Sequence, residues 1–498
     1  MNYPTARSFL APLLTLTVFI IPACSEDDPS PTLPSAETTT AVDNPSPATP
    51  SASGLLPHQD LARALLKELV EIDTTDSKGD NTRAAQAMAD RLLAAGFPAE
   101  DIQVLEPAPG KGNLVARYRG KQLGLGPLLL LAHIDVVEAD PKDWTLDPFT
   151  FIEQEGYYYG RGTTDDKDEA AIYIANLIRL REEGFQPDRD IIVALTADEE
   201  GGDHNGVQWL LENHRELIDA EYALNEGGGG AMKDGIYMSN AVQASEKVYQ
   251  TFILEVTNSG GHSSLPVRDN AIYHLVDALA NIRDYQFPVI LNQVTRLYFE
   301  RAAELEQGPL ADAMRGVAQN PPDAASIEYF ADLTYYNSRL RTTCVTTRLD
   351  AGHADNALPQ RARATVNCRV LPGESVEEVQ NTLQSIVADA QVSITPLGDA
   401  TQSPPSPLTP ALLSAIESIT DSMWPGVPVI PTMSTGATDG LYLRNAGIPV
   451  YGVSGLFGDI DDIRAHGQNE RINIKAYFEG QEFLYRLTKL LSAVTDGA

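Results

Sequence analysis

Five short stretches of this chain carry the residue types that hold metal ions and move protons. They are His133-Ile134-Asp135, Arg161-Gly162-Thr163-Thr164-Asp165-Asp166-Lys167, Ala197-Asp198-Glu199-Glu200-Gly201-Gly202, Leu224-Asn225-Glu226-Gly227-Gly228 and Ala465-His466-Gly467, each in a loop after a strand-like run. Any one acidic loop alone reads as a solvated turn or a helix N-cap, and Asp165 and Asp166 would stabilise a helix N-terminus through its dipole. Five such loops in one chain point elsewhere. Imidazole and carboxylate ligands without cysteine suit zinc in a catalytic site that keeps an open position. Asp135 can accept a hydrogen bond from the His133 nitrogen that faces away from a metal, fixing the tautomer and raising ligand basicity.

The elements that position these residues follow from hydrophobic periodicity. Residues 128–132 are four leucines and an alanine, a central strand that delivers His133 to the rim of a sheet. Open α/β sheets place their chemistry at that rim, beyond the carboxyl ends of strands. Strands are predicted at 113–119, 191–196 and 221–224, a long loop at 136–162, and helices at 60–72, 82–95 (stopped by Gly96), 169–183 and 207–213. This alternation predicts an α/β fold with a mainly parallel, helix-covered sheet. The pattern changes near Ser245. Strands at 248–257, 342–349, 362–370 and 392–396, with helices at 270–282 and 376–388, describe a ferredoxin-like α+β unit, interrupted by a largely helical segment at 284–339. From residue 408 the first style returns, with a helix at 411–422, a buried strand at 448–453, a loop to His466 and a final helix at 474–491. The expected organisation is a catalytic domain in two parts, 55–245 and 403–498, with 246–402 inserted as a lid or dimerisation domain.

Together with Ser259-Gly260-Gly261-His262-Ser263-Ser264, these motifs resemble the dinuclear zinc family of aminoacylases, glutamate carboxypeptidases and yeast-type carboxypeptidase S, in order, from about residue 55 to the end. The resemblance implies a zinc-exopeptidase-like fold and two metal ions, zinc first and cobalt or manganese as alternatives. Asp165 would bridge them, His133 and Glu226 completing one site, Glu200 and His466 the other. Glu199 would be the general base for a water held between the metals, with Asp135 supporting His133. His262 would donate to the tetrahedral oxyanion, and in dimeric relatives this residue comes from the neighbouring subunit, so a homodimer is an expectation. Asn356 and Arg369, thirteen residues apart, match the family's substrate-holding pair. A guanidinium grips a carboxylate bidentately. Gly436, in Ser434-Thr435-Gly436-Ala437-Thr438-Asp439, matches a substrate-loop glycine.

The expected reaction is hydrolysis of a peptide or N-acyl amide bond next to a free carboxylate, as a carboxypeptidase or an aminoacylase. A rival of a different class is a peptide-binding lipoprotein without catalysis. Glu199 argues against it, since a pure binder has no use for a base beside its metals. Two departures from the family pattern stand out. Asp168 and Glu169 follow Lys167 where relatives usually carry glycine, and the 284–339 insertion resembles the longer carboxypeptidase S branch, where it could cover the cleft or alter dimer contacts.

Composition bounds the rest. A chain of 498 residues exceeds one ordinary core, and 43% apolar content suits a soluble globular protein. A net charge of −33 argues against binding nucleic acid through its phosphates. Arg7 precedes an apolar run, 9–21, that is short for a span of ~20 residues. Ile21-Pro22-Ala23-Cys24 then resembles a bacterial lipobox, with ordinary secretory cleavage near Ala23 as the alternative. Residues 1–24 are therefore expected to be a signal segment and Cys24 the lipid-bearing residue, Ser25 favouring the outer membrane of a bacterial envelope. Residues 25–54, rich in Ser, Thr, Pro and acidic residues, are expected to be a tether. Cys344 and Cys368 could form a disulfide in an oxidising periplasm or remain buried thiols, and both readings stay open. The glycine run 227–230 lacks a following Lys-Ser/Thr, and no Gly-x-Ser-x-Gly elbow occurs, which excludes a phosphate loop and a serine-hydrolase nucleophile elbow.

Overall fold

Leu128–His133 and Ile191–Thr196 are buried along their whole length. Strands without polar alternation can only be inner members of a sheet covered on both faces. The computed structural model describes residues 54–493 except 123, 399 and 401, so the expected lipobox with Cys24 and the expected tether up to residue 53 lie outside the described residues. The main sheet has ten strands in the order Ile102–Leu105, Asn113–Tyr118, Ile191–Thr196, Leu128–His133, Tyr222–Asn225, Val450–Gly452, Ile236–Glu246, Gly230–Lys233 and Phe457–Asp459, with Val429–Ser434 paired to Ile236–Glu246. Its centre is parallel: Ile191–Thr196, Leu128–His133, Tyr222–Asn225 and Val450–Gly452 run the same way. One face packs Leu128 and Leu130 with residues of the helices Pro57–Val70, Asn81–Ala94, Lys167–Glu182 and Ile474–Ser492. The other packs Leu129 and Leu131 with Val207, Leu210 and Leu443. Alternating leucines thus serve two helical layers, as the period-two geometry of a strand requires.

Several elements differ from the sequence reading. The loop expected over 136–162 contains the hairpin Ile152–Gln154 and Tyr157–Tyr159, which pairs with Arg471–Asn473. The strands Ile236–Glu246 and Val429–Ser434 were not expected at all. Helix Lys167–Glu182 starts two residues earlier than its periodicity suggested, with Lys167, Asp168 and Glu169 buried in its first turn.

The second sheet is antiparallel, in the order Thr343–Ala351, Arg361–Val370, Val248–Thr257, Ser393–Leu397. Helices Ala271–Asp284 and Val376–Val387 share one core with it, distinct from the core of the main sheet. In chain order this is strand-helix-strand-strand-helix-strand, the ferredoxin-like arrangement. Cys344 lies directly opposite Cys368, and the two form a disulfide. The insertion folds as the helices Gln293–Ala302, Gly308–Val317, Ala324–Phe330 and Thr334–Leu340 around their own apolar cluster, which includes Ile430 of the main sheet. The Arg301 Nη1 donates to the Val429 carbonyl at 2.7 Å, seating the first of these helices on the edge strand Val429–Ser434.

Candidate metal centre

Three adjacent parallel strands end at the same rim. Leu128–His133 presents His133 there, its neighbour Ile191–Thr196 leads into Glu199 and Glu200, and Tyr222–Asn225 leads into Glu226. Asp165 arrives from the loop before helix Lys167–Glu182, and His466 from the loop after Phe457–Asp459. Glu470 fastens these last two loops to each other. It is fully buried, pairs with Arg161 at 2.7 Å, and accepts the backbone N–H groups of Gly162 at 3.1 Å and Thr164 at 2.8 Å. The ribbon formed by Arg471–Asn473 and Tyr157–Tyr159 continues the same tie. His466 (φ 61°) and Asp198 (φ 60°) sit in the left-handed region, where a side chain is held only if its surroundings over-determine it. The Asp198 carboxylate is fixed by Lys111 at 2.6 Å.

Asp165 offers one oxygen to each histidine: Oδ1 lies 3.0 Å from His133 Nε2 and Oδ2 lies 3.0 Å from His466 Nε2. His466 Nε2 is also 2.7 Å from Glu200 Oε1. Donor atoms of His133, Asp165 and Glu226 lie within 4.8 Å of one another, as do those of Asp165, Glu200 and His466. All five expected ligands therefore come together as two groups that share Asp165. At 2.7–3.0 Å these atoms stand at hydrogen-bond distance from one another, and a small outward shift would give the wider spacing of ligands about 2.0–2.2 Å from a tetrahedral zinc ion.

Asp135 behaves differently from its expected role. His133 Nδ1 is 3.0 Å from the Asp135 backbone carbonyl and 3.5 Å from its carboxylate. The carboxylate spends its firm hydrogen bonds on the next strand's loop, accepting Glu199 N–H at 3.1 Å and Glu200 N–H at 2.9 Å. It orients the Glu199-Glu200 pair as well as His133.

The charges fit divalent cations. Burial pushes the Glu226 carboxyl up to about 8, and lifts Glu199 well above the usual range. Burial also pushes Asp165 up, but the two imidazoles more than reverse this and hold it below the usual range. His466 is pushed up to about 9, chiefly by its hydrogen bond to Asp165. The only ion pairs of Asp165 and Glu200 among the described residues are those with His133 and His466. Buried carboxylates in this number need a cation, and two nitrogen donors with three carboxylates and no thiolate suit zinc-like ions.

The residues expected to hold substrate fall into two groups. Asp439, which sequence reasoning missed, is buried beside the centre; it accepts from Thr196 Oγ1 at 3.2 Å and from Asn205 Nδ2 at 2.5 Å, and burial pushes it up to about 6. Its neighbour Thr438 donates from both N and Oγ1 to Glu246, which pairs with Arg444 in full burial. Gly436 lies in this loop, its N–H donating to Ser434 Oγ at 3.0 Å. The Ser434 carbonyl accepts the N–H of Lys247, whose ammonium lies within electrostatic reach of Arg369, and Arg369 stacks over the Tyr249 ring at 4.7 Å. The 434–439 loop thus connects the metal centre to Arg369. His262 and Asn356 sit elsewhere, on a two-stranded ribbon, Gly261–His262 with Ala357–Leu358. There His262 is exposed and its imidazole is held by Ser264 at 2.8 Å, not by a residue of either ligand group.

A cavity of about 540 Å³ reaches Asp165 and Glu226, with Met232, Leu456, Phe457, Ile460 and Ile463 among its walls. The run 227–230 is glycine because strands close in on it: a Cβ on Gly228 would stand 2.1 Å from the Gly452 carbonyl, and one on Gly230 2.2 Å from the Phe457 ring.

Comparison with known proteins agrees with this geometry. Residues 129–490 match the description Peptidase family M20/M25/M40. The N-fatty-acyl-amino acid synthase/hydrolase PM20D1 of Xenopus tropicalis is 31% identical over 369 residues, covering 72% of this chain and 71% of that protein. A probable carboxypeptidase S-like 2 of Dictyostelium discoideum is 30% identical over 386 residues, 76% of this chain and 74% of its own. Among solved structures, the M20 family metallo-carboxypeptidase Sso-CP2 from Sulfolobus solfataricus superposes with a TM-score of 0.66 over 86% of this chain and 99% of that one, at 18% identity.

Proposed function

The chain belongs to peptidase family M20/M25/M40, and from that premise we propose that it hydrolyses an amide bond next to a free carboxylate, in an N-acyl amino acid or a small peptide. The observation that carries this reading is the shared Asp165, with one oxygen toward each histidine. His133, Asp165 and Glu226 would hold one metal and Asp165, Glu200 and His466 the other, zinc being the ion this donor set suits best. Bound there, the pair supplies Lewis acidity toward the scissile carbonyl and a water easier to deprotonate. Glu199, lifted by burial and held through its N–H by Asp135, takes the water proton and returns it to the leaving amine. His262 donates to the developing oxyanion. Its exposure on the ribbon supports delivery from a second subunit, hence a homodimer. Arg369 holds the substrate carboxylate, with the backbone at Gly436 on the loop that leads to it, and Asn356 arrives with His262 from the second subunit's ribbon.

Within this class the apolar wall of Met232, Leu456, Phe457, Ile460 and Ile463, in a cavity otherwise lined by acidic and polar residues, favours an aliphatic acyl group over a polar peptide residue. That matches the activity in the name of the Xenopus relative. The lipobox-like Cys24 and the 25–54 tether support anchoring in a bacterial envelope, periplasmic side, where a disulfide is stable. The test is a panel of N-acyl amino acids and dipeptides, with C-terminally amidated controls, on protein stripped of metal and reloaded with zinc, cobalt or manganese. Metal-dependent turnover of the free acids is expected. Equal turnover of the amides would overturn the carboxylate requirement, and full activity after stripping would overturn the metal reading.

A further inference from the structure

The disulfide lies one residue from the arginine assigned to the substrate carboxylate, and the strand it secures is an edge of its sheet. Thr343–Ala351 is an edge strand, exposed from Val345 onward, with an irregularity in pairing between Thr346 and Arg348. An edge with few buried contacts opens easily, and weakly specified strands slip in register. A slip of one residue would turn every side chain to the other face. Cys344 opposite Cys368 fixes the pairing of the adjoining residues, Thr343 opposite Arg369.

That junction also anchors Lys247, whose ammonium lies within electrostatic reach of the like charge of Arg369. The buried Lys247 donates from Nζ to the Arg341 carbonyl at 2.7 Å and to Thr343 Oγ1 at 3.4 Å, so both of its acceptors lie on the segment leading into the clamped strand. From its backbone, Lys247 donates to the Ser434 carbonyl at 3.0 Å, where the Gly436 loop begins. Tyr249, two residues on, is paired with Arg369 and offers it a ring face. Freed of its covalent tie, the start of the edge strand would release the acceptors of Lys247 and one flank of Arg369 together.

We infer that the Cys344–Cys368 disulfide is a positioning element for substrate recognition, holding Arg369 and Lys247 in the register that grips the substrate carboxylate. This rests on the proposed role of Arg369. Neither cysteine touches substrate; both act through the arginine.

The test uses the full chain, metal-loaded, in three forms: oxidised, reduced with a phosphine and then alkylated, and Cys344→Ser/Cys368→Ser. With N-acyl amino acids, KM is expected to rise about tenfold or more on losing the clamp, the size of a weakened hydrogen bond to a charged group, while kcat changes little. With the amidated substrates, which give Arg369 nothing to grip, the three forms should agree. Reoxidation of phosphine-treated, unalkylated protein should restore the original KM. An equal loss on acids and amides, or no change in KM, would overturn the inference. Arg369→Ala separates this from the underlying reading. If that variant keeps its preference for free acids, the role of Arg369 fails. If it loses the preference while the unclamped protein keeps it, only the clamp fails. Should the serine pair fold poorly, Cys344→Val/Cys368→Ala replaces it, and the reduction arm needs no mutation.

Discussion

Asp135 accepts the backbone N–H of Glu199 at 3.1 Å, while its own carbonyl stands 3.0 Å from His133 Nδ1. One residue thus orients a metal ligand with its main chain and the proposed base with its side chain. Asp135→Ala should weaken metal binding about 10- to 100-fold, the usual cost of losing such a support. It should also lower kcat in protein saturated with metal, because the 199–200 loop loses its anchor. Metal competition with a chelating dye reads the first effect and saturation kinetics the second; wild-type values in both would remove Asp135 from the machinery.

Glu199→Gln keeps the shape and removes the basic oxygen. Turnover should drop by about 10²- to 10⁴-fold with both metals retained. Metal content by plasma emission and kcat by amine release check this together. Unchanged turnover would sink the role given to Glu199 and reopen the binding-protein reading.

Glu226 predicts a pH dependence in metal-free protein. Its carboxyl is pushed up to about 8 from an ordinary 4.5 by burial. The folded state then binds more protons than the unfolded chain between those values, so this residue makes stability fall as pH rises across that window. Glu226→Gln should make the slope less negative by up to about 1.4 kcal/mol per pH unit. Urea unfolding in chelator at several pH values measures it. Metal should protect the wild type more strongly toward the alkaline end, and identical slopes for the two proteins would contradict the burial argument.

Ile463 is 80% exposed at the cavity wall, so Ile463→Glu should fold normally. Each methylene that an acyl chain buries contributes about 0.8 kcal/mol, close to fourfold in kcat/KM. The variant should therefore lose turnover of long-chain N-acyl substrates by about tenfold while N-acetyl substrates are unaffected. Loss on both would mean that the cavity does not receive the acyl chain.

Much of this architecture could be read from residue patterns because it lies on elements with a single period. The leucines of Leu128–His133 and the run Ile191–Thr196 carry no polar interruption, so the strands were legible, and with them the place of the candidate ligands that follow. Ile236–Glu246 was not, because its inner end buries Asn240, Gln243, Ser245 and Glu246, whose polarity hides the strand. Besides the Gln243–Glu246 bond within the strand, those groups find partners through tertiary contacts, Asn240 with Thr420 and Glu246 with Arg444. Val429–Ser434 was masked by Pro431, which is tolerable at an edge and argues against a strand elsewhere. Asp439 and Glu470 carried weak local signals, a carboxylate shortly after Gly436 and another shortly after His466. Their roles arise from partners hundreds of positions away, Thr196 and Arg161, which no local pattern encodes. Asp135 was assigned to the right neighbour, but its backbone carbonyl stands closer to the imidazole than its carboxylate does, a division that a tight turn makes and no local pattern encodes.

The helix Gln293–Ala302 seated along Val429–Ser434 has a further consequence. A sheet that ends in a bare strand offers unsatisfied amide and carbonyl groups to any passing chain, and proteins blunt such edges to avoid self-association. Here the insertion occupies that flank, so an excision of residues 284–339 would uncover a sticky margin along which copies of the chain would accrete.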